Sequence, residues 1–99
     1  MSYHSLRKAR RELADRGAQE LLSFAGSRRA VDLIAAQGDA LAELVGEHCA
    51  RADREGVALF IEVHDDAMAQ RWAALGFSTA AATVEMRWGV VQLLLRSNS

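Results

Sequence analysis

Seven consecutive residues, Val57 to Val63, are apolar apart from Glu62. Gly56 opens this run and His64-Asp65-Asp66 closes it. A strand buried on both faces has this composition, and such strands are usually parallel and central in their sheet. Other elements must then cover both of its faces. That requirement constrains the fold more than any other stretch of the chain.

The surrounding pattern supplies those elements. Asp39 is a candidate N-cap for a helix over about 40–55, because its carboxylate can accept from free first-turn amides. Leu41, Leu44, Val45, His48, Cys49 and Ala52 share one side of that helix, Glu47 and Arg51 pair on the other, and Gly56 stands at the C-cap. Asp65 or Asp66 caps a shorter helix that ends at Gly76. Thr83 to Trp88 alternates, with Val84, Met86 and Trp88 on one face of a half-buried antiparallel strand. Val90 to Leu95 is a second apolar run, followed by a polar tail. At the other end, Leu6, Ala9, Leu13, Gly17, Leu21 and Phe24 recur at helical spacing and predict an amphipathic helix over about 2–24, with Gly17 weakening its centre. Ala30 to Ala36 fits either a short strand or one or two helical turns. The expectation is an α/β fold: a small mixed sheet with flanking helices plus an N-terminal amphipathic helix. It forms one domain over 1–99, divided into a basic helix (1–25), a core (26–89) and an apolar run with its tail (90–99).

Ninety-nine residues, half of them apolar (51%), suffice for one small core. The net charge of -1 argues against a polyanion binder. Early arginines (Arg7, Arg10, Arg11, Arg16) lack the aromatic interleaving and helix-turn-helix pattern of a nucleic-acid interface. A lone cysteine, Cys49, rules out an internal disulfide and fits a reducing compartment. No apolar signal core follows Met1, and no run is long enough to span a bilayer. A cytoplasmic protein with no membrane or nucleic-acid partner is expected.

Chemistry-bearing residues are few. Glu62, inside an apolar strand, either faces a cleft as a base or meets an arginine, the commoner fate of a buried carboxylate. His64 stands at the C-terminal end of the same strand, where open α/β sheets bind ligands. With Asp65 and Asp66 it forms a cluster suited to a proton or a metal, or simply a loop entering an N-cap. His48 and Cys49 are adjacent on one helix and diverge by about 100°, so they do not easily share a metal.

In this order the residues resemble the C-terminal half of the GNAT acyltransferase superfamily. Leu44-Val45 followed by Gly56 is similar to the family's Leu-Leu to Gly helix, and Val57 to Val63 to the strand after it. Asp65 stands where the family usually has Asn, Trp72 where it often has Tyr, Leu75-Gly76-Phe77 matches the exit signature, and Val84 to Trp88 resembles the closing strand. Counting back from Leu44 puts Asp39 and Leu41 at the loop positions the family fills with glycine, and Gly38 lies beside them. The resemblance implies acetyl-CoA as a substrate. Its pyrophosphate would lie on the amides of Gln37, Gly38, Asp39, Ala40 and Leu41, with Arg28 or Arg29 neutralising charge. Asp65 and Trp72 would complete the cofactor site, and Glu62 or His64 would act as the base toward a small amine.

Two functions therefore stand as expectations. One is a truncated or divergent GNAT-like N-acetyltransferase. The other is a non-catalytic GNAT-like module that forms a homodimer or docks on a partner protein, consistent with an apolar stretch from Trp88 to Leu95 if it lies at a sheet edge. A third, an anti-sigma-antagonist-like regulator, would want a phosphorylatable serine at a helix start after a strand, and only Ser27 comes near.

Overall fold

A computed structural model describes residues 3–98 of the chain. In chain order its elements are α1 (Tyr3–Asp15), β1 (Ala18–Glu20), α2 (Leu21–Ala25), α3 (Ser27–Ala35), α4 (Gly38–Glu55), β2 (Ala58–Val63), α5 (Asp66–Ala74), β3 (Thr79–Met86) and β4 (Gly89–Arg96). They build an α/β fold on a four-stranded mixed sheet of order β1-β2-β4-β3.

The apolar stretch is central, as its composition requires. β2 runs parallel to β1 and antiparallel to β4, and β3 pairs antiparallel with the far side of β4. Successive residues of β2 feed opposite faces. Leu59, Ile61 and Val63 join a core with Leu21, Phe24, Leu33, Val45, Trp72 and Phe77 beneath α2–α5. Phe60 joins Leu6, Leu13, Ala18, Val84, Val91 and Leu93 beneath α1. The sheet is thus covered on both sides, by one helix on one face and four on the other.

Two expectations are corrected and two open readings are decided. The single N-terminal helix is three elements: Gly17 adopts φ +86°, a conformation few side chains tolerate, and the chain breaks there into β1 and then α2. Ala30 to Ala35 belongs to α3 and is helical, and Ala36 is its extended C-cap. α4 starts earlier than expected, with Gln37 at the N-cap and Asp39 inside the first turn. Val90 to Leu95 lies in β4, an interior strand, and the sheet's outer strand is the Ala- and Thr-rich β3. Trp88 sits in the turn between them and is 63% exposed.

The helix ends follow local chemistry. Gly56 closes α4 in the left-handed conformation (φ 72°, ψ 32°). Asp65 caps α5, its Oδ1 accepting from the Met68 amide at 2.8 Å. At the exit, Gly76 turns at φ +105° and Phe77 drops into the core, its amide donating to the Trp72 carbonyl at 3.0 Å. Arg96 of β4 lies across Gly76 and donates to both carboxylate oxygens of Asp53 on α4, at 3.0 Å each, tying that corner together. Replacing the cap, Asp65→Ala, should lower stability by about 1 kcal/mol. Urea unfolding checks this, and an unshifted midpoint would mean that another group satisfies the first turn of α5.

Candidate functional site

β1 is only three residues long, and its pairing ends at Glu20 opposite Phe60. Beyond that point β2 continues through Ile61, Glu62 and Val63 with β4 on one side and no strand on the other. The chain instead turns away into α2, where the Glu20 carboxylate caps the helix by accepting from the Ser23 amide at 2.9 Å. The space left open is a cleft of about 580 Å³. It lies at the C-terminal ends of two parallel strands, the place where open α/β sheets take ligands. Its volume falls in the range of small-molecule sites.

The pleat of β2 separates the walls. Ile61 points to the helical side, where Leu22, Leu33, Ile34, Met68 and Trp72 line an apolar wall. Glu62 points to the other side and meets Arg10 of α1. Both carboxylate oxygens accept from the guanidinium, Oε1 from Nε and Oε2 from Nη2, the latter at 2.9 Å. This is the arginine partner that the sequence allowed for. A base role for Glu62 requires Arg10 to move off first. His64 is exposed at the rim, with its ring edge-on to Trp88 (centroids 5.4 Å apart, 73°).

The remaining candidates divide between the cleft and elsewhere. Trp72 is buried in the cleft wall and packs edge-on against Phe77 at 5.5 Å. Its indole offers a donor and no usable acidity. Asp65 turns inward to cap α5. None of the residues 37–41 that open α4 lines the cleft. Gln37 is extended there and makes no side-chain cap, and Gly38 has φ +59°. The opening amides of α4 are therefore without intrahelical acceptors. Asp39 brings negative charge into that turn, Ala40 is exposed, and Leu41 is committed to the core.

Arg28 and Arg29 are not brought to this turn. They start α3, and Arg29 instead lines a shallow groove with His48, Arg51 and Arg54 in the second half of α4. Arg51 is anchored over the Phe24 ring at 3.8 Å, and it donates to the Phe24 carbonyl at 2.7 Å and to Glu55 at 3.4 Å rather than to Glu47. His48 is buried, and Nε2 has no hydrogen-bond partner. Burial first, then Arg51 and Arg29, push its pKa below the ordinary histidine value. Burial pushes the neighbouring Cys49 thiol up. Each shift opposes a thiolate–imidazolium pair, so Cys49 packs as an apolar residue.

Among the described residues, no three His, Cys, Asp or Glu side chains converge to hold a metal, and no helix is long and apolar enough to cross a membrane. Three contributors to the cleft carried no local signal. Arg10 is 52 positions from its partner, and Ile34 and Met68 stand among ordinary helix residues. No family model, curated protein or solved structure matches this chain.

Proposed function

We propose that this chain is a divergent GNAT-like module that binds an acyl-CoA in the cleft and presents the acyl group to a small amine. The observation that carries this reading is the early end of β1, which leaves one edge of β2 from Ile61 to Val63 unpaired beside an apolar cavity, with β4 on the other edge. An extended ligand bearing amides can pair with such a bare edge as a strand would. The opening amides of α4, outside the cleft lining, would suit a phosphate, while Asp39 opposes one.

In the reaction, the amine nitrogen attacks the thioester carbonyl, the C–N bond forms and the C–S bond breaks. The amine gives up a proton and the departing thiolate takes one. His64 is the group at the rim able to accept that proton without displacing Arg10. No tyrosine replaces Trp72 as an acid, so most of the rate would come from holding the two reactants together.

Calorimetric titration with acetyl-CoA tests the proposal, with ADP and desulfo-CoA as controls. Micromolar binding that Gly38→Asp weakens at least tenfold is the expected result. Absence of heat at millimolar ligand would sink it for the isolated chain. The second reading, a non-catalytic module for self-association or partner docking, is favoured by the Arg10–Glu62 pair and by the exposed Val31, Ile34 and Trp88. A dimer in sedimentation equilibrium with no acetyl-CoA binding would select it.

A further inference from the structure

We infer that the acyl group held in this cleft is a flexible aliphatic chain of medium length rather than acetyl. The inference rests on the acyl-CoA reading and names the substrate class of that same site. An acetyl group presents one methyl and occupies a small part of a cavity of about 580 Å³. The helical wall is apolar at Leu22, Leu33, Ile34, Met68 and Trp72, with Ser23 and the α2-capping Glu20 as its polar members. Aliphatic side chains, methionine above all, conform readily to a bending chain.

Polarity is divided in the way such a ligand needs. The pleat puts Glu62 with Arg10 on one side of β2 and Ile61 on the other. A thioester head can lie toward the polar side and the bare β2 edge while its tail runs along the helical wall. Two large apolar side chains stand uncovered by this opening. Ile34 is 72% exposed at the cleft itself, and Trp88 is 63% exposed on the rim residue His64. A chain longer than acetyl would cover Ile34, which an acetyl group would not reach from the β2 edge.

Each methylene fully removed from water improves Kd by roughly fourfold. A tenfold gain therefore needs only about two of the six methylenes by which octanoyl exceeds acetyl. The experiment titrates acetyl-CoA, octanoyl-CoA, free CoA and sodium octanoate into the full chain by calorimetry. Trp72 emission is followed in parallel in a Trp88→Phe background. Octanoyl-CoA should bind at least about tenfold more tightly than acetyl-CoA and shift the Trp72 emission. Ile34→Ser, at an exposed position that the fold does not need, should cut the advantage of octanoyl-CoA over acetyl-CoA severalfold.

The outcomes separate the two claims. Equal affinity for acetyl- and octanoyl-CoA would overturn the chain-length inference and leave the acyl-CoA reading standing. Octanoate binding without any CoA thioester binding would support the acyl cleft and overturn the CoA reading. No binding by any of the four would overturn both.

Discussion

Phe77→Ala should remove about 3–5 kcal/mol of folding stability, the typical cost of emptying a fully buried phenylalanine site. The ring is completely enclosed and meets Trp72 edge-on at 5.5 Å and 86°. Such an aromatic pair adds about 0.5–1.5 kcal/mol beyond area burial. A domain of this size has about 5–15 kcal/mol in all, so roughly a fifth or more of its stability rests on this one side chain. The cause is local. Gly76 turns the chain sharply out of α5, and the next residue must enter the core directly under the helix it has just left. Urea unfolding gives the size of the loss, with Phe77→Leu as the milder control. A loss below about 1 kcal/mol would contradict the packing at this corner. The effect also reaches the cleft, because Trp72 belongs to its wall and is held in place by the Phe77 ring. A weakened Phe77 variant that still folds should therefore bind cleft ligands less well.

What could be read from the sequence follows from how far each determinant lies along the chain. β2, the cap at Asp65, the left-handed end at Gly56 and the Leu75-Gly76-Phe77 exit are all set by residues within a turn of one another. Each was legible for that reason. β1 was not, because Ala18-Gln19-Glu20 has no alternation to detect. These residues form a strand only because β2 offers them an edge. α1 was read too long, since Leu21 and Phe24 happen to continue its spacing across a glycine that breaks the helix. β4 was left open to an exposed reading, since an apolar run alone does not tell an edge from an interior strand. The order β1-β2-β4-β3 decides that, and pairing order depends on all four strands at once. In the site, Glu62 and His64 were legible as the chemical groups of the cleft. Arg10 was not, because a guanidinium 52 positions away leaves no trace in local pattern.

Arg10 also links the fold to function. It belongs to α1, which covers one face of the sheet, and it reaches Glu62, the carboxylate that β2 carries into the cleft. The ion pair joins two segments 52 positions apart and occupies the oxygens that a base would need. Stability and acid–base chemistry therefore compete for Glu62. That competition disfavours proton transfer through Glu62.

The second large effect is expected at His48, as a dependence of stability on pH that one substitution removes. Whichever nitrogen carries the ring proton, Nε2 is buried without a partner, a loss worth about 1–3 kcal/mol. Burial, Arg51 on its own helix and Arg29 from α3 all disfavour the charged ring, and Glu47 opposes them more weakly. The folded pKa is thus below the unfolded value of about 6.5. Above that value both states hold the neutral ring, and His48 adds no slope. As pH falls below it, the unfolded chain takes up a proton that the folded chain resists, so stability declines until the pH has passed the lowered folded pKa. His48→Leu keeps a side chain of similar bulk and removes both the unpaired nitrogen and the titration. At pH 8 the variant should match or exceed the parent in stability, and its advantage should widen between pH 6.5 and pH 5. Urea unfolding of both proteins at matched pH values measures the gap. The difference between the two proteins, rather than either curve alone, reports His48. A gap that stays constant across that window would mean that the ring finds a proton acceptor in the folded state.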